Sequence, residues 1–347
     1  CGAVGRAQAS KIRKIYDMAA QNGAPVVGMF DSDGAKLGEG IDAMDAIADI
    51  LLACNNLSGV VPQIAVIAGS CVGSVALIAA NADVTVAVKE TDYYLNPGDE
   101  SAPASLYAEN EEEALSKVRE LIALLPANNL AAPCAYDFDG ASVAACEGID
   151  TVLEAVADPD SLLMMGGDGA CKTALGRVGG QSCGMITLSG DKVEGCAASR
   201  IARFVRLCDA FSLPVLTFVD AAGFACLKGA AKLSHVYAEA TTAKITVITG
   251  RAYGSVYIAA AGKAAGADVV YAWPGAAISP LNPEAAIHIF WKDKLAGMAD
   301  PVKGRQQLAE QYAAENCSPL EAAAQGAVTD VIRPEETRSR LIAAMEM

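Results

Sequence analysis

The sequence predicts an α/β protein made of two tandem copies of one strand-and-helix unit, the first copy lacking its leading strands. Three observations predict this. Two blocks of sequence recur in the same order. Each has the spacing of a buried strand joined to a helix. The second copy also carries residues 151–189 upstream of its first block, and the first copy has no counterpart for them.

The first block, ASKIRKIYDMAAQNGAPVVGMFD at 9–31, aligns without a gap on ASRIARFVRLCDAFSLPVLTFVD at 198–220. The alignment pairs Ala9 with Ala198, Ser10 with Ser199, Lys11 with Arg200, Pro25 with Pro214 and Asp31 with Asp220. Both copies read as a helix with apolar spacing, a turn, then a Pro-led strand ending in Asp. The second block, IAVIAGSCVGSVALIAA at 64–80, matches ITVITGRAYGSVYIAAA at 245–261 at nine of seventeen positions. Gly69/Gly250, Gly73/Gly254, Ser74/Ser255 and Val75/Val256 are among the identities, and Ala82-Asp83-Val84 and Ala267-Asp268-Val269 come after them. Each strand is expected to end at Gly69 or Gly250, with a helix starting near Gly73-Ser74 or Gly254-Ser255.

The remaining elements are read from local signals. Leu175–Val178, a Gly179-Gly180 turn and Gln181–Ile186 read as a β-hairpin. Glu111-Glu112-Glu113 opens a helix over 110–125, where carboxylates suit the positive helix end. A linker is expected at about 130–150, giving domains 1–140 and 141–347, and a closing helix over Glu335–Met347 after Pro334. A chain opening at Cys1, without Met and inside the first copy, is expected to be a fragment of a longer one.

Composition narrows the function. Hydrophobic residues are 53% and charged residues 19%, a globular balance, and the net charge of −15 argues against nucleic-acid binding. Eleven cysteines form no C-x-x-C pair, so no metal site is expected, and reduced thiols suit a cytoplasmic protein. The only histidines are His235 and His288, and no G-x-S-x-G elbow accompanies them. The apolar stretches 64–80 and 245–261 are broken by Gly, Ser or Arg and read as buried strand and helix, not membrane spans.

The repeated corner has a chemical use. The first N–H groups of a helix lack an internal partner, and glycine lets a ligand approach the backbone. Such a corner can hold an oxyanion formed from a carbonyl. A tight strand–helix corner with glycine for packing has the same pattern, so the residues alone leave both readings open.

The stretches GAPVVGMFDSDGAKLGEG (23–40), SGVVPQIAVIAGSCVGSVA (58–76), LLPANN (124–129), 198–224, AEATTAKITVITGRAYGSVY (238–257) and GADVVYAWPGAAI (266–278) carry a resemblance over essentially the whole chain. They resemble the carboxyltransferase subunits of biotin-dependent acyl-CoA carboxylases and decarboxylases of the propionyl-, methylmalonyl- and glutaconyl-CoA type. The resemblance implies two tandem crotonase-like (ClpP/crotonase) ββα-superhelix domains. It implies an active site at a dimer interface of a homo-oligomer, a hexamer being one arrangement. In that family the corner matching Gly73 and Ser74 holds the thioester oxygen of an acyl-CoA as an enolate. The corner matching Gly254, Ser255 and Val256 holds the ureido carbonyl of biotin. Carboxybiotin splits into CO₂ and a biotin enolate that takes the substrate α-proton, and the CoA enolate attacks the CO₂. Decarboxylases run the steps in reverse.

The resemblance further implies biotin on a separate carrier protein, since no A-M-K-M segment is present, and a biotin carboxylase or a membrane decarboxylase subunit as partner. Tyr253 and Tyr257 flank the second corner and are candidates for the biotin pocket, a place in the core being an equal reading of either, and Ile258 stands where propionyl-type members often have Asp. Arg6, Lys11, Lys14, Arg200 and Arg203 are candidates for the CoA phosphates; exposed helix faces are the plainer reading of these. Ser74 and Ser255 replace the second glycine of each family corner, and Asp33 and Lys36 depart from a D-S-G-G-A-R pattern. Another crotonase-type hydratase, isomerase or thioesterase, and a non-catalytic paralogue, are the alternative readings.

Overall fold

A computed structural model of the chain describes residues 2–138, 146–166, 169–297 and 301–347. They form two compact units, one holding most of residues 2–134 and the other most of the rest. The expected domain boundary at 140/141 and the middle of the expected linker lie outside the described residues.

The first unit runs α1 (Arg6–Asn22), β1 (Val26–Ser32), α2 (Ile41–Asn56), β2 (Gln63–Val72), α3 (Ser74–Asn81), β3 (Val84–Val88), β4 (Tyr93–Tyr94), β5 (Leu106–Ala108) and α4 (Glu111–Leu124). Its sheet has the order β1-β2-β3-β5, all parallel, and β4 pairs with the far end of β2. Strands β2 and β3 are runs of Val, Ile and Ala covered on both faces, as central parallel strands must be. Ile47, Ile50, Val61, Ile67, Val75 and Ala79 sit in its core. Helix α4 begins as its acidic triplet predicts: the Glu113 N–H donates to the Asn110 side chain at 2.9 Å, and three carboxylates fill the first turn.

The second unit runs α5 (Val152–Val156), β6 (Leu163–Met164), β7 (Lys172–Val178), β8 (Gln181–Gly190), α6 (Gly195–Ala210), β9 (Val215–Ala221), α7 (Leu227–Glu239), β10 (Lys244–Tyr253), β11 (Val269–Ala272), β12 (Ala277–Ser279) and helices α8 to α11 (Pro283–Phe290, Lys292–Ala296, Pro301–Asn316, Pro319–Ala324). It closes with β13 (Asp330–Val331) and α12 (Thr337–Met345). Its sheet has the order β13-β11-β10-β9-β8-β7-β6, with β12 on the far end of β10. β7 and β8 are antiparallel, the predicted hairpin extended at both ends, and β8 runs parallel to β9. The Asp158 carboxylate accepts the Gly179 and Gly180 N–H groups of its turn at 3.0 and 2.7 Å. Arg338 of α12 donates to the same carboxylate at 2.7 Å and to the Val156 carbonyl, both side chains being buried.

The closing helix is shorter than expected. Pro334–Glu336 forms a 3₁₀ turn, because proline fits a first turn, and α12 starts only at Thr337. The recurring Ala-Asp-Val has a structural job. The Gln63 N–H at the start of β2 donates to Asp83 at 2.9 Å, and the Lys244 N–H at the start of β10 donates to Asp268 at 2.8 Å. Each carboxylate satisfies a strand-end donor.

Candidate active site at two strand–helix corners

Neither β2 nor β10 ends at its glycine, contrary to expectation. The ladder between β1 and β2 pairs Phe30 with Ile67 and then Ser32 with Cys71, so Ala68, Gly69 and Ser70 all lie opposite Asp31. Between β9 and β10, Val219 pairs with Ile248 and Ala221 with Ala252, so Thr249, Gly250 and Arg251 lie opposite Asp220. Each is a bulge with two extra residues on the long strand, and a bulge bends its strand and re-aims the residues beyond it. A side chain at Gly250 would put its Cβ 2.5 Å from the Asp220 Cγ, and one at Gly69 would come 2.7 Å from the Asp31 Cγ. The repeated Asp and Gly are therefore a packed pair.

Beyond the bulge each strand finds a new partner. Cys71 and Val72 pair with β4, and Arg251 to Tyr253 pair with β12. The ladder finishes at the corner glycine, whose N–H donates to the Tyr94 carbonyl at 3.0 Å in the first unit and to the Ser279 carbonyl at 2.9 Å in the second. Gly73 has φ +64° and Gly254 φ +43°, a region where a side chain is strained. The chain then turns into α3, or into one helical turn at Ser255-Val256 that opens into a π-helix, Tyr257–Ala261.

The corner glycine N–H is thus committed to the sheet. At the corners no partner among the described residues is found for the N–H groups of Ser74 and Val75 in one unit, or of Ser255, Val256 and Tyr257 in the other. Ser74 and Ser255 are exposed, while Val75 and Val256 are buried.

In the second unit the corner opens on a cleft of ≈ 430 Å³ lined by Gly254, Tyr257, Ile258, Ile278, Ser318 and Gln325 among others. The Tyr257 hydroxyl donates to the Ala327 carbonyl at 2.9 Å, and its ring lies over Gly262. Burial raises the Tyr257 pKa. Ile258 is 69% exposed and lines the cleft. No group of metal-ligating side chains occurs among the described residues, and no helix among them is long and apolar enough to cross a membrane.

Known proteins match this chain over its whole length. The carboxyl transferase domain family matches residues 1–101 and 98–347. The chain belongs to that family. It is a biotin-dependent acyl-CoA carboxyltransferase. The propionyl-CoA carboxylase carboxyltransferase subunit of Haloferax mediterranei is 34% identical, covering 100% of this chain and 77% of its own. The methylmalonyl-CoA decarboxylase subunit alpha of Propionigenium modestum is 31% identical over 100% and 77%. The solved transcarboxylase 12S, a hexamer described with hydrolysed methylmalonyl-CoA bound, superimposes with a TM-score of 0.89 at 29% identity, covering 99% of this chain and 76% of that one. The chain is therefore of mixed α/β fold similar to transcarboxylase 12S.

For a carboxyltransferase, the sequence-predicted residues divide clearly. Gly73, Ser74, Gly254, Ser255 and Val256 all lie at the corners, where the two glycines have positive φ and the N–H groups of the residues after them have no partner among the described residues. Tyr257 and Ile258 line the cleft, whereas Tyr253 is 8% exposed and is not among the lining residues. Arg6 lines a separate, charged cleft of ≈ 670 Å³ with Arg13, Lys14, Asp17 and Asp49. Its guanidinium is 3.3 Å from Asp42, and Lys11 is exposed on the same helix without lining that cleft. Arg200 donates to the Cys171 carbonyl at 3.0 Å, a structural bond.

Sequence reasoning missed the roles of Asp31, Asp220 and Arg251. The repeat displayed the two aspartates and glycines, but their contact needs the bulged register. It also missed the π-helix, which no local propensity announces.

Proposed function

We propose that the carboxyltransferase works through its two corners, the Ser74-Val75 N–H pair stabilising the acyl-CoA thioester oxygen and the Ser255-Val256 pair the biotin ureido carbonyl. The observation that carries this is the matched pair of unpartnered N–H groups, each held by a glycine whose own N–H is anchored in the sheet. Preorganised donors of this kind stabilise developing negative charge without reorganising. No side chain has to carry a proton, consistent with a chain whose His235 stands 71% exposed beside Glu239.

The second corner suits a biotin carbonyl. Its unpartnered N–H groups are donors suited to a carbonyl oxygen, and Tyr257, Ile258 and Ile278 give the cleft beside them at Gly254 an apolar wall for a compact bicyclic ring. Biotin would supply the transferable carboxyl group on its ring nitrogen. The protein would orient it, hold charge at the Ser255 and Val256 N–H groups, and keep the thioester enolate at Ser74 and Val75.

We further infer tandem crotonase-like domains, 1–140 and 141–347, with the site at a dimer interface between the N-half of one subunit and the C-half of another. Matching bulges, corners and Asp-capped strands in both units support the duplication. Biotin then arrives on a carrier protein, and a biotin carboxylase or a membrane decarboxylase subunit completes the cycle in the cytoplasm. On this reading Arg6 and Lys11 meet the CoA phosphates.

The test is carboxyl transfer from malonyl-, methylmalonyl- and glutaconyl-CoA to free biotin. Transfer from one of them supports the reading and names the acyl group. A chain that binds neither biotin nor any of these thioesters would sink it.

A further inference from the structure

We propose that Asp220 and Arg251 are positioning residues that set the second corner, acting on its N–H pair through the bulge of β10. The inference rests on the assignment of that corner to the biotin carbonyl.

Asp220 Oδ1 accepts from two atoms of one residue, the Arg251 backbone N–H at 2.9 Å and its Nε at 2.8 Å. The same guanidinium reaches Asp191, just past the end of β8, with Nη1 2.7 Å from Oδ1. A bulge leaves its extra residues without ladder partners. Here the carboxylate replaces the missing acceptor for Arg251, and the side-chain bond fixes the same residue a second time. Thr249, on the other side of Gly250, is held by its hydroxyl donating to the Val219 carbonyl at 3.2 Å. Gly250 between them packs on the Asp220 carboxylate.

This clamp sits at the start of the segment that aims the corner. Arg251 is the first β10 residue paired with β12, and that pairing ends at Tyr253 with Ser279, next to Gly254. From Arg251 to the corner is a lever of about 10 Å at strand rise. A tilt of about 5° at the bulge would displace the N–H pair by roughly 1 Å, enough to cost about a hundredfold in a reaction that depends on alignment. The first unit shows the contrast. Ser70 stands where Arg251 does, and among the described residues Asp31 takes part in no ion pair. Among the described residues the ionic clamp is found at the second corner and not at the first.

Asp220→Asn keeps an oxygen for the Arg251 N–H and removes the charge that holds the guanidinium. Arg251→Gln keeps the backbone donor and removes the bridge to Asp191. In the transfer assay with methylmalonyl-CoA and free biotin, each is expected to lower kcat/KM for biotin by about ten- to a hundredfold. The KM for the thioester should stay within about twofold, and the double variant should be no worse than the worse single one, because both break one linkage. Arg251→Lys, which keeps the charge but not the fork, should fall between. Biotin and thioester terms falling together, or a biotin term that does not move, would overturn the inference. Amide hydrogen exchange on the same variants tests positioning without substrate. Faster exchange over 253–258 than over 72–77 is expected; equal change in both segments refutes the clamp, whatever the transfer assay gives. A wild-type chain that transfers nothing while 253–258 loosens in the variants would instead count against the biotin assignment.

Discussion

Gly254→Ala and Gly73→Ala are the same substitution at matched corners, and the structure makes them unequal. At Gly73 a methyl group would meet nothing within 4 Å, so the cost is backbone strain at φ +64° and ψ −144°, about 1–3 kcal/mol. At Gly254, φ is +43° and the methyl group would lie 2.8 Å from the Pro280 carbonyl oxygen. Strain of about 1–2 kcal/mol then adds to overpacking of about 1–3 kcal/mol. Pro280 comes directly after Ser279, whose carbonyl holds the Gly254 N–H, so relief of the contact must pull on the bond that fixes the corner. Gly254→Ala is expected to be less stable than Gly73→Ala by at least about 1 kcal/mol, or about 2–4 °C in Tm for a unit of this size. It should also lose about ten- to a hundredfold in biotin-dependent transfer. Thermal melts monitored by fluorescence give the first comparison and the transfer assay the second. Gly254→Ala melting with Gly73→Ala and transferring at the wild-type rate would refute the steric argument and the corner's role together.

Other perturbations have equally definite outcomes. Arg338→Met strands the buried Asp158 carboxylate on its two turn amides and should cost about 3–5 kcal/mol in urea unfolding; a loss below about 1 kcal/mol would show the pair to be dispensable. Asp268→Ala should cost about 1–3 kcal/mol by leaving the Lys244 N–H unsatisfied at a buried strand end, whereas an unchanged urea midpoint would mean that another acceptor takes over. Alkaline pH should destabilise the fold. Burial pushes the Cys71 thiol from 9.0 up to about 12 and also raises Cys183 and Cys208. Stability from these thiols is complete below pH 9 and falls as pH rises through the folded values, because the unfolded chain loses its protons first. Each thiol contributes a slope of up to about 1.4 kcal/mol per pH unit. Urea midpoints at pH 8 and pH 10.5 measure it, and Cys71→Ala should flatten the slope.

Much of the fold was legible in the sequence because it is local or repeated. The hairpin of β7 and β8 comes from a Gly-Gly turn between apolar runs, and α4 from the three glutamates at its start. The corner residues came from a repeat that puts glycine and serine at one place in both copies. The same repeat displayed Asp31, Asp220, Gly69 and Gly250, yet the strands were expected to stop at those glycines. Side-chain periodicity marks a strand's faces and not its register, so a bulge of two residues leaves no mark in the pattern. Nor does the pattern say which N–H groups end up unpartnered. Gly73 and Gly254 looked like donors until β4 and β12 supplied acceptors for them.

The sequence by itself determined the two strand–helix corners, with glycine and serine at matched places, and a chain with only two histidines. These depend on residue type and on spacing along the chain. Only the tertiary structure decided that the N–H groups of Ser74, Val75, Ser255 and Val256 are without a partner among the described residues, that Asp220 grips Arg251, and that Arg338 answers Asp158 across 180 residues. Those outcomes depend on which carbonyl or carboxylate a neighbouring strand or helix brings within 3 Å. That distance is set by register and packing between segments far apart in sequence, and no single stretch of the chain encodes it.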